Sequence, residues 1–311
     1  MAVFTGDQLN GKQFSSLVQI LSQQSDMRFA NNVRTERITN AEEAYWQRLA
    51  PLGAPTQKTE RYGTTPYTEA EFSRRRIVPA EWQEGSRIDK HDVRRYCTIS
   101  PENDFVTLHK ASLNRWKDTT VINAAFGTAS AGKAGELSVA FKDECVSING
   151  AGTATTLGTL AVDGSPTAIS LAKMSLMLEI FNNLDVDPMI PKYWGFTPKD
   201  SADLLNIATF TSKDYVPQAN AIESGKITYL LGFNLFWSNL IPKTDVGGAC
   251  YRNLVWARDG LIMGYLSDVE TKIDVLPEHQ HNTQIFSTMD VGAVRFDGDK
   301  VHECLTKVSH T

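Results

Sequence analysis

Three stretches of this chain carry residue types at spacings that chemistry uses. Gly127-Thr128-Ala129-Ser130-Ala131-Gly132-Lys133-Ala134 nearly matches the phosphate-binding pattern GxxxxGK(S/T). A phosphate loop follows a strand and opens a helix, so that backbone N–H groups and the helix N-terminus converge on the phosphates. Here the segment follows the end of a helical pattern, and Ala134 stands where a hydroxyl would hold Mg²⁺, so a glycine-rich connector fits better than a nucleotide site. His279-Gln280-His281 can place two imidazoles on one side of a strand, but no third ligand stands at motif spacing, and a solvated loop is the better reading. The third stretch, Ser73 to Trp82, "SRRRIVPAEW", sets three consecutive arginines beside an apolar run.

Nothing else supports an active site. His91, His109, His302 and His310 are scattered, no cysteine or serine sits in a nucleophile context, and the carboxylates form no recognisable pair. We therefore assign no catalytic, cofactor-binding or metal-ligating residue, and expect no enzyme.

The elements that must position the arginines set the next question. The chain has 311 residues, 41% hydrophobic and 22% charged, with a formal net charge of -5, which is globular composition without a field that gathers nucleic acid or anionic membrane. Cys97, Cys145, Cys250 and Cys304 form no short metal spacing. The N-terminus lacks an export signal, and no run approaches the roughly 18 apolar residues of a membrane span. The expectation is a reduced, cytosolic, unexported chain.

Between Ala54 and Arg87 the chain is rich in proline, glycine and charge and poor in aliphatic residues, so it cannot build a core. If Phe72 to Trp82 is extended, Phe72, Arg74, Arg76, Val78, Ala80 and Trp82 share one face, and Ser73, Arg75, Ile77, Pro79 and Glu81 the other. With Thr56 to Tyr62 as the second strand, the expectation is a two-stranded ribbon that must lean on something. Glu60, Glu69, Glu71, Glu81 and Glu84 largely neutralise the arginines. A protein interface and a solvated strand fit the triplet equally, and nucleic acid fits it less well.

Helical spacing over Gly11 to Gln24 predicts a short amphipathic helix. Ser100-Pro101-Glu102-Asn103-Asp104 is a helix start, and a rod of about 25 residues should follow, ended by Gly127, with Phe105, Leu108, Ser112, Trp116 and Thr119 on one stripe beside His109 and Leu113. "ELSVAF" and "ECVSI" read as short strands, and Ser165-Pro166 as the start of a second helix through Leu184 whose Met174, Met177 and Leu178 are core. Beyond it a helix at about Lys199 to Ile207 mixes with strands near Ile227 to Trp237, Leu254 to Trp256, Thr271 to Val275 and Val291 to Phe296. The fold class is α+β, without the alternation of a doubly wound sheet.

In this order the parts resemble the tailed-bacteriophage (Caudoviricetes) major capsid protein family, with its Hong Kong 97-type fold. The stretches that carry the likeness are "RYGTTPYTEAEFSRRRIVPAEWQEGSRIDKHDVRR", "LNRWKDTTVINAAFGTASAGKAGE", "ESGKITYLLGFNLFWSNLIP" and "VGAVRFDGDKVHEC". The resemblance implies an N-terminal arm over 1–53, an extended loop (E-loop) over 54–88 lying across a neighbouring subunit, and a peripheral domain over 89–186 with a spine helix at 100–127. It also implies an axial domain over 187–285 whose tips meet around five-fold and six-fold centres, and a return strand within 286–311. Gly225, Ile227, Gly232, Phe233, Ser238 and Pro242 fall where the family places a turn and strand of the axial domain.

The implied function is a structural shell protein that assembles as pentamers and hexamers into an icosahedral head around double-stranded DNA, located in the virion and assembled in the bacterial host cytoplasm. Its partners are then itself, with scaffold, portal and decoration proteins, and packaged DNA by non-specific proximity; no membrane is involved. The inter-subunit residues expected are Lys58, Arg61, Arg74, Arg75, Arg76 and Trp82. Fewer than about 55 residues precede the loop, so no fused scaffolding segment is expected, and although Lys58 is available, no covalent crosslink is predicted. The alternatives are a nucleic-acid- or nucleotide-binding protein using Arg74 to Arg76 and the Gly127 to Lys133 loop, or another oligomeric phage component such as a decoration or tail protein.

Overall fold

The computed structural model describes residues 23–65, 67–89, 101–154, 167–207, 227–244 and 250–308. In chain order its strands are β1 (Arg34–Arg37), β2 (Ala44–Leu49), β3 (Phe72–Ile77), β4 (Ala80–Ile88), β5 (Ala129–Ala131), β6 (Leu137–Val139), β7 (Ser147–Ile148) and β8 (Lys192–Phe196), followed by β9 (Tyr229–Leu230), β10 (Phe233–Trp237), β11 (Lys243–Thr244), β12 (Cys250–Ala257), β13 (Leu261–Leu276), β14 (Asn282–Arg295) and β15 (Val301–Lys307). The helices are α1 (Pro101–Phe126), α2 (Phe141–Glu144), α3 (Leu171–Asn183) and α4 (Pro198–Leu205). Parallel and antiparallel pairs mix within the sheets, and helices do not alternate with strands, as an α+β chain requires.

The rod α1 has 26 residues, about 39 Å at 1.5 Å per residue. Glu102 and Asp104 lie in its first turn, where the helix dipole favours negative charge. The Gly127 N–H closes the last turn onto the Asn123 carbonyl at 2.8 Å, and a Cβ at Gly127 would lie 2.6 Å from that oxygen, so glycine is needed to end the helix this way. The buried face differs from the expected stripe. Leu113, Val121, Ile122 and Ala125 are buried together with His109, Asn114 and Asp118, whereas Ser112 and Trp116 are exposed. The reason is that α1 buries polar side chains that have partners, which apolar periodicity cannot register.

The backbone clusters into two compact units. Among the described residues the first comprises 23–26, 81–89, 101–115 and 267–289. Its sheet runs in the order β13-β14-β4. Here His109 bridges Ser86 (2.7 Å) and Ser287 (3.2 Å), and Asn114 Nδ2 donates to the Ser25 carbonyl at 3.1 Å.

The second unit holds the larger cores, built on the seven-stranded sheet β7-β15-β12-β8-β10-β9, with β11 paired to β12, and the four-stranded order β2-β3-β5-β6. Met174, Met177 and Phe181 of α3 bury with Trp194, Phe233 and Val255 in one cluster. A second gathers Phe29, Val121, Ile122, Phe141, Trp256 and Val301. Phe29 stacks on Trp256 with ring centroids 5.5 Å apart, and a Cβ at Gly195 would come within 2.7 Å of the Phe29 ring, so only glycine admits it. Asp118 fixes this segment: its fully buried carboxylate accepts the N–H groups of Arg28 (2.8 Å), Phe29 (2.9 Å) and Ala30 (2.9 Å).

Several boundaries differ from expectation. The start of α3 is Leu171, capped by Ser170, whose hydroxyl accepts the Lys173 N–H; Ser165 and Pro166 lie outside the described residues, as do Ser100, Gly225 and most of Gly11 to Gln24. The return strand expected within 286–311 is the end of β14 and the whole of β15, separated by a 3₁₀ turn at Gly298–Lys300. Residues 267–285 cluster with 81–89 and 101–115, because their pairing runs through β14 to β4.

Candidate assembly surface

The ribbon forms with a different partner strand. β3 pairs antiparallel with β2, from Ala44↔Ile77 to Leu49↔Phe72, and the Ala50 N–H bonds the Glu71 carbonyl at 2.9 Å one step beyond. Thr56 to Tyr62, expected as the second strand, has no strand structure. It lacks apolar alternation, whereas Ala44 and Trp46 of β2 join a buried cluster with Ile38, Ile77 and Ala129. From Pro51 to Ala70 the described chain makes no regular structure and nearly every residue is exposed, including Lys58 and Arg61. Tyr62 is 92% and Tyr67 89% exposed, with Leu52 and, at the base, Leu49 and Phe72 also open to solvent. The Arg61 guanidinium lies 5.8 Å from the Tyr62 ring centroid, at the outer reach of a cation–π contact. A segment this long without structure inside an ordered domain is a binding element more often than a connector.

Alternation divides the arginine triplet as expected. Arg75 and Ile77 face inward and are buried, while Arg74 and Arg76 are half-buried on the opposite face. Arg76 donates to Glu43, which also accepts the Tyr45 hydroxyl at 2.8 Å, a bond that raises the Tyr45 pKa. The close approach of Arg76 Cδ, 2.4 Å from where a Cβ would stand, together with φ of +77°, restricts position 135 to glycine.

Arg75 donates to Glu144 of α2, and burial pushes its pKa down from the usual guanidinium value. Arg48 lies 3.8 Å from the same Glu144 oxygen. Arg295, fully buried, places Nε 3.5 Å from the other, while its Nη1 donates to the carbonyls of Ala125 (2.8 Å) and Gly127 (2.9 Å), and Nη2 to that of Val139 (2.9 Å). A cation thus meets the carbonyl end of α1, where the dipole favours it. The exposure that a purely outward role of the triplet assumes does not hold for Arg75. Trp82, half-buried on β4, belongs to the first unit, whereas Lys58, Arg61 and Arg74 to Arg76 belong to the second.

The enzymatic motif resolves into a hairpin. Strands β5 and β6 flank the turn, and Gly132 and Gly135 take φ of +95° and +77°. The turn amides of Lys133 (3.3 Å) and Ala134 (2.7 Å) donate to the carboxylate of Glu136, whose pKa is lowered first by its own backbone N–H and then by these two bonds. The amides that would receive a phosphate are taken by the protein's own anion, and a strand follows where a phosphate loop needs a helix. His279 and His281 lie at the exposed tip between β13 and β14, where Gln280 and His281 both take φ of +57°. Among the described residues no three His, Cys, Asp or Glu side chains are grouped to hold a metal, and no helix is long and apolar enough to cross a membrane.

A family model described as "Phage capsid protein" matches residues 8–308. The chain belongs to the phage capsid protein family. No curated protein matches it. The fold of this phage capsid protein is shared with solved capsids at low identity. The capsid of cyanophage P-SCSP1u is 15% identical with a TM-score of 0.71, covering 97% of this chain and 94% of that one. The capsid of cyanophage Pam1 is 13% identical with a TM-score of 0.71, covering 100% of both. The capsid of Ralstonia phage GP4 is 10% identical with a TM-score of 0.70, covering 100% and 98%. The α+β chain therefore has the Hong Kong 97-like capsid fold.

Glu43, Arg48, Glu144 and Arg295, which hold the base of the β2–β3 ribbon, carry little signal in the sequence. Arg295 carries the one readable signal, a lone charge inside the apolar run "VGAVRF". Such a residue is buried only if it is paired or hydrogen-bonded.

Proposed function

We propose that this phage capsid protein builds the icosahedral head shell as pentamers and hexamers, with residues 50–71 acting as an arm laid on a neighbouring copy. The observation that carries the arm is its exposure: it presents Leu52, Tyr62 and Tyr67 with no core of its own. Burying such side chains on a second copy gives about 25 cal/mol per Å² of apolar surface, which water does not supply.

On this reading Lys58, Arg61 and Arg74 contact the neighbour directly, and Trp82 lies on a second contacting face. Arg75 and Arg76 instead rigidify the base from which the arm projects. The N-terminal arm covers 1–53, the extended loop 54–88, the peripheral domain 89–186 with α1 as its spine, the axial domain 187–285, and the return to the peripheral domain lies within 286–311. The protein performs no chemistry. Scaffold, portal and decoration proteins are its further partners, and with a net charge of -5 the shell meets DNA by proximity rather than by condensation.

Limited trypsin digestion of the purified full chain tests the arm. Cleavage after Lys58 and Arg61 is fast in free subunits and slows by about tenfold or more in assembled particles, since opening the arm then requires breaking its contacts. Equal rates in both states would remove the arm from the interface.

A further inference from the structure

Glu144 sits among three guanidinium groups supplied by three strands: Arg48 from β2, Arg75 from β3 and Arg295 from β14. It does not serve them equally. Oε1 accepts from Arg75 and stands 3.8 Å from Arg48, while Oε2 stands 3.5 Å from Arg295 Nε, beyond ordinary hydrogen-bond length. Glu144 Oε2 and Arg295 Nε are both buried, and among the described residues neither has a hydrogen-bond partner. Two opposite charges therefore face each other across a gap that a shift of about half an ångström would close into a charge-assisted bond.

Each arginine is tied to a different element. Arg75 belongs to the base of the arm. Arg295 is fixed in place by three carbonyls at the end of α1 and in β6, and Arg48 by the Phe296 carbonyl at 2.8 Å. Among the described residues Arg75 alone of the three has no second anchor, and it lies on β3, the strand into which the exposed segment runs. If β3 is drawn outward, Arg75 gains water, while Glu144 keeps a counter-charge already in place.

We propose that Glu144 is an exchange latch: it holds Arg75 while the arm base is seated, and transfers to Arg295 when a second copy draws the arm and β3 outward. The transfer frees the β2–β3 ribbon and tightens the C-terminal turn of α1, so that docking at the arm is felt at the end of the spine helix. This rests on residues 50–71 being an assembly arm, but the latch itself is a property of the single subunit.

Hydrogen exchange read by mass spectrometry on the unassembled full chain tests it in wild type, Arg75→Met and Glu144→Gln. The latch predicts that Arg75→Met speeds exchange over 44–49 and 72–77 by about tenfold but leaves 120–127 within about twofold of wild type, or slower, because Glu144 has moved to Arg295. Glu144→Gln, which has no charge to transfer, speeds both segments. If Arg75→Met loosens 120–127 as much as 72–77, or if Glu144→Gln leaves either segment unchanged, the latch is wrong. Should Arg75→Met fail to fold, Arg75→Gln, which removes the charge but keeps a polar side chain, is held to the same two outcomes. Because no particle is needed, a failed latch and a failed shell are read separately.

Discussion

Arg75 and Glu144, 69 residues apart in sequence, form an ion pair in which the arginine is only 3% exposed, on the inward face of the strand that follows the exposed segment 51–70. This pairing separates the three consecutive arginines by role. Arg75→Glu would set a second carboxylate against Glu144 inside the protein and is expected to destabilise the subunit by about 3–5 kcal/mol. Arg74→Glu, on the outward face, should stay within about 1 kcal/mol of wild type while impairing particle formation. Urea unfolding of each variant, run beside sedimentation, checks both. An Arg75→Glu subunit as stable as wild type would show that the buried pair contributes nothing.

Asp118 gathers three backbone N–H groups of Arg28, Phe29 and Ala30 into one buried carboxylate. Asp118→Ala leaves three donors without this acceptor, two of them buried, and a loss of about 3 kcal/mol or more is expected, since each bond to a charged group is worth about 1.5–3 kcal/mol. Phe29 should loosen from Trp256 at the same time, giving a change in tryptophan fluorescence before global unfolding. Asp118→Asn, which keeps one acceptor oxygen, should lose less.

Much of this arrangement was legible in the sequence, and the parts that were not share a cause. The rod α1 announced itself through the acids of its first turn and through Gly127, and the inward and outward sides of β3 followed from simple alternation. Met174 and Met177 were rightly placed in the core. The partner of β3 was not legible, because nearness in sequence pointed to Thr56 to Tyr62, whereas pairing follows buried side chains such as Ala44 and Trp46. The buried face of α1 was misplaced because His109, Asn114 and Asp118 are paired polar residues, which hydropathy scores as solvent-facing. Glu144 gave no sign at all: an acid in a short charged run looks solvated until the fold brings three arginines to it.

His302 supplies a pH dependence. It is fully buried, its Nδ1 accepts the Val146 N–H at 3.2 Å, and burial lowers its pKa from 6.5 to about 4. Between those values the unfolded chain binds the proton that the folded one refuses, so stability from this group is present above pH 6.5 and is lost as pH falls toward 4. The loss amounts to about 3 kcal/mol, at 1.36 kcal/mol per pKa unit, and levels off below. Thermal unfolding at a series of pH values should show this slope in wild type and lose it in His302→Gln, whose amide oxygen can still accept from Val146. An unchanged slope in the variant would place the acid sensitivity elsewhere.

The Gly127 to Lys133 hairpin should be indifferent to nucleotide. Its turn amides already hold the Glu136 carboxylate, so ATP with Mg²⁺ at millimolar concentration is expected to leave Tm unchanged in wild type and in Lys133→Ala alike. A Tm rise in wild type that disappears in Lys133→Ala would restore a nucleotide site.

This chain is the wall of a phage head, and negative-stain electron microscopy of the purified protein across a range of salt and crowding conditions is the decisive measurement. Rings of five and six subunits and closed shells of icosahedral outline are expected. A protein that stays monomeric under every condition would contradict this.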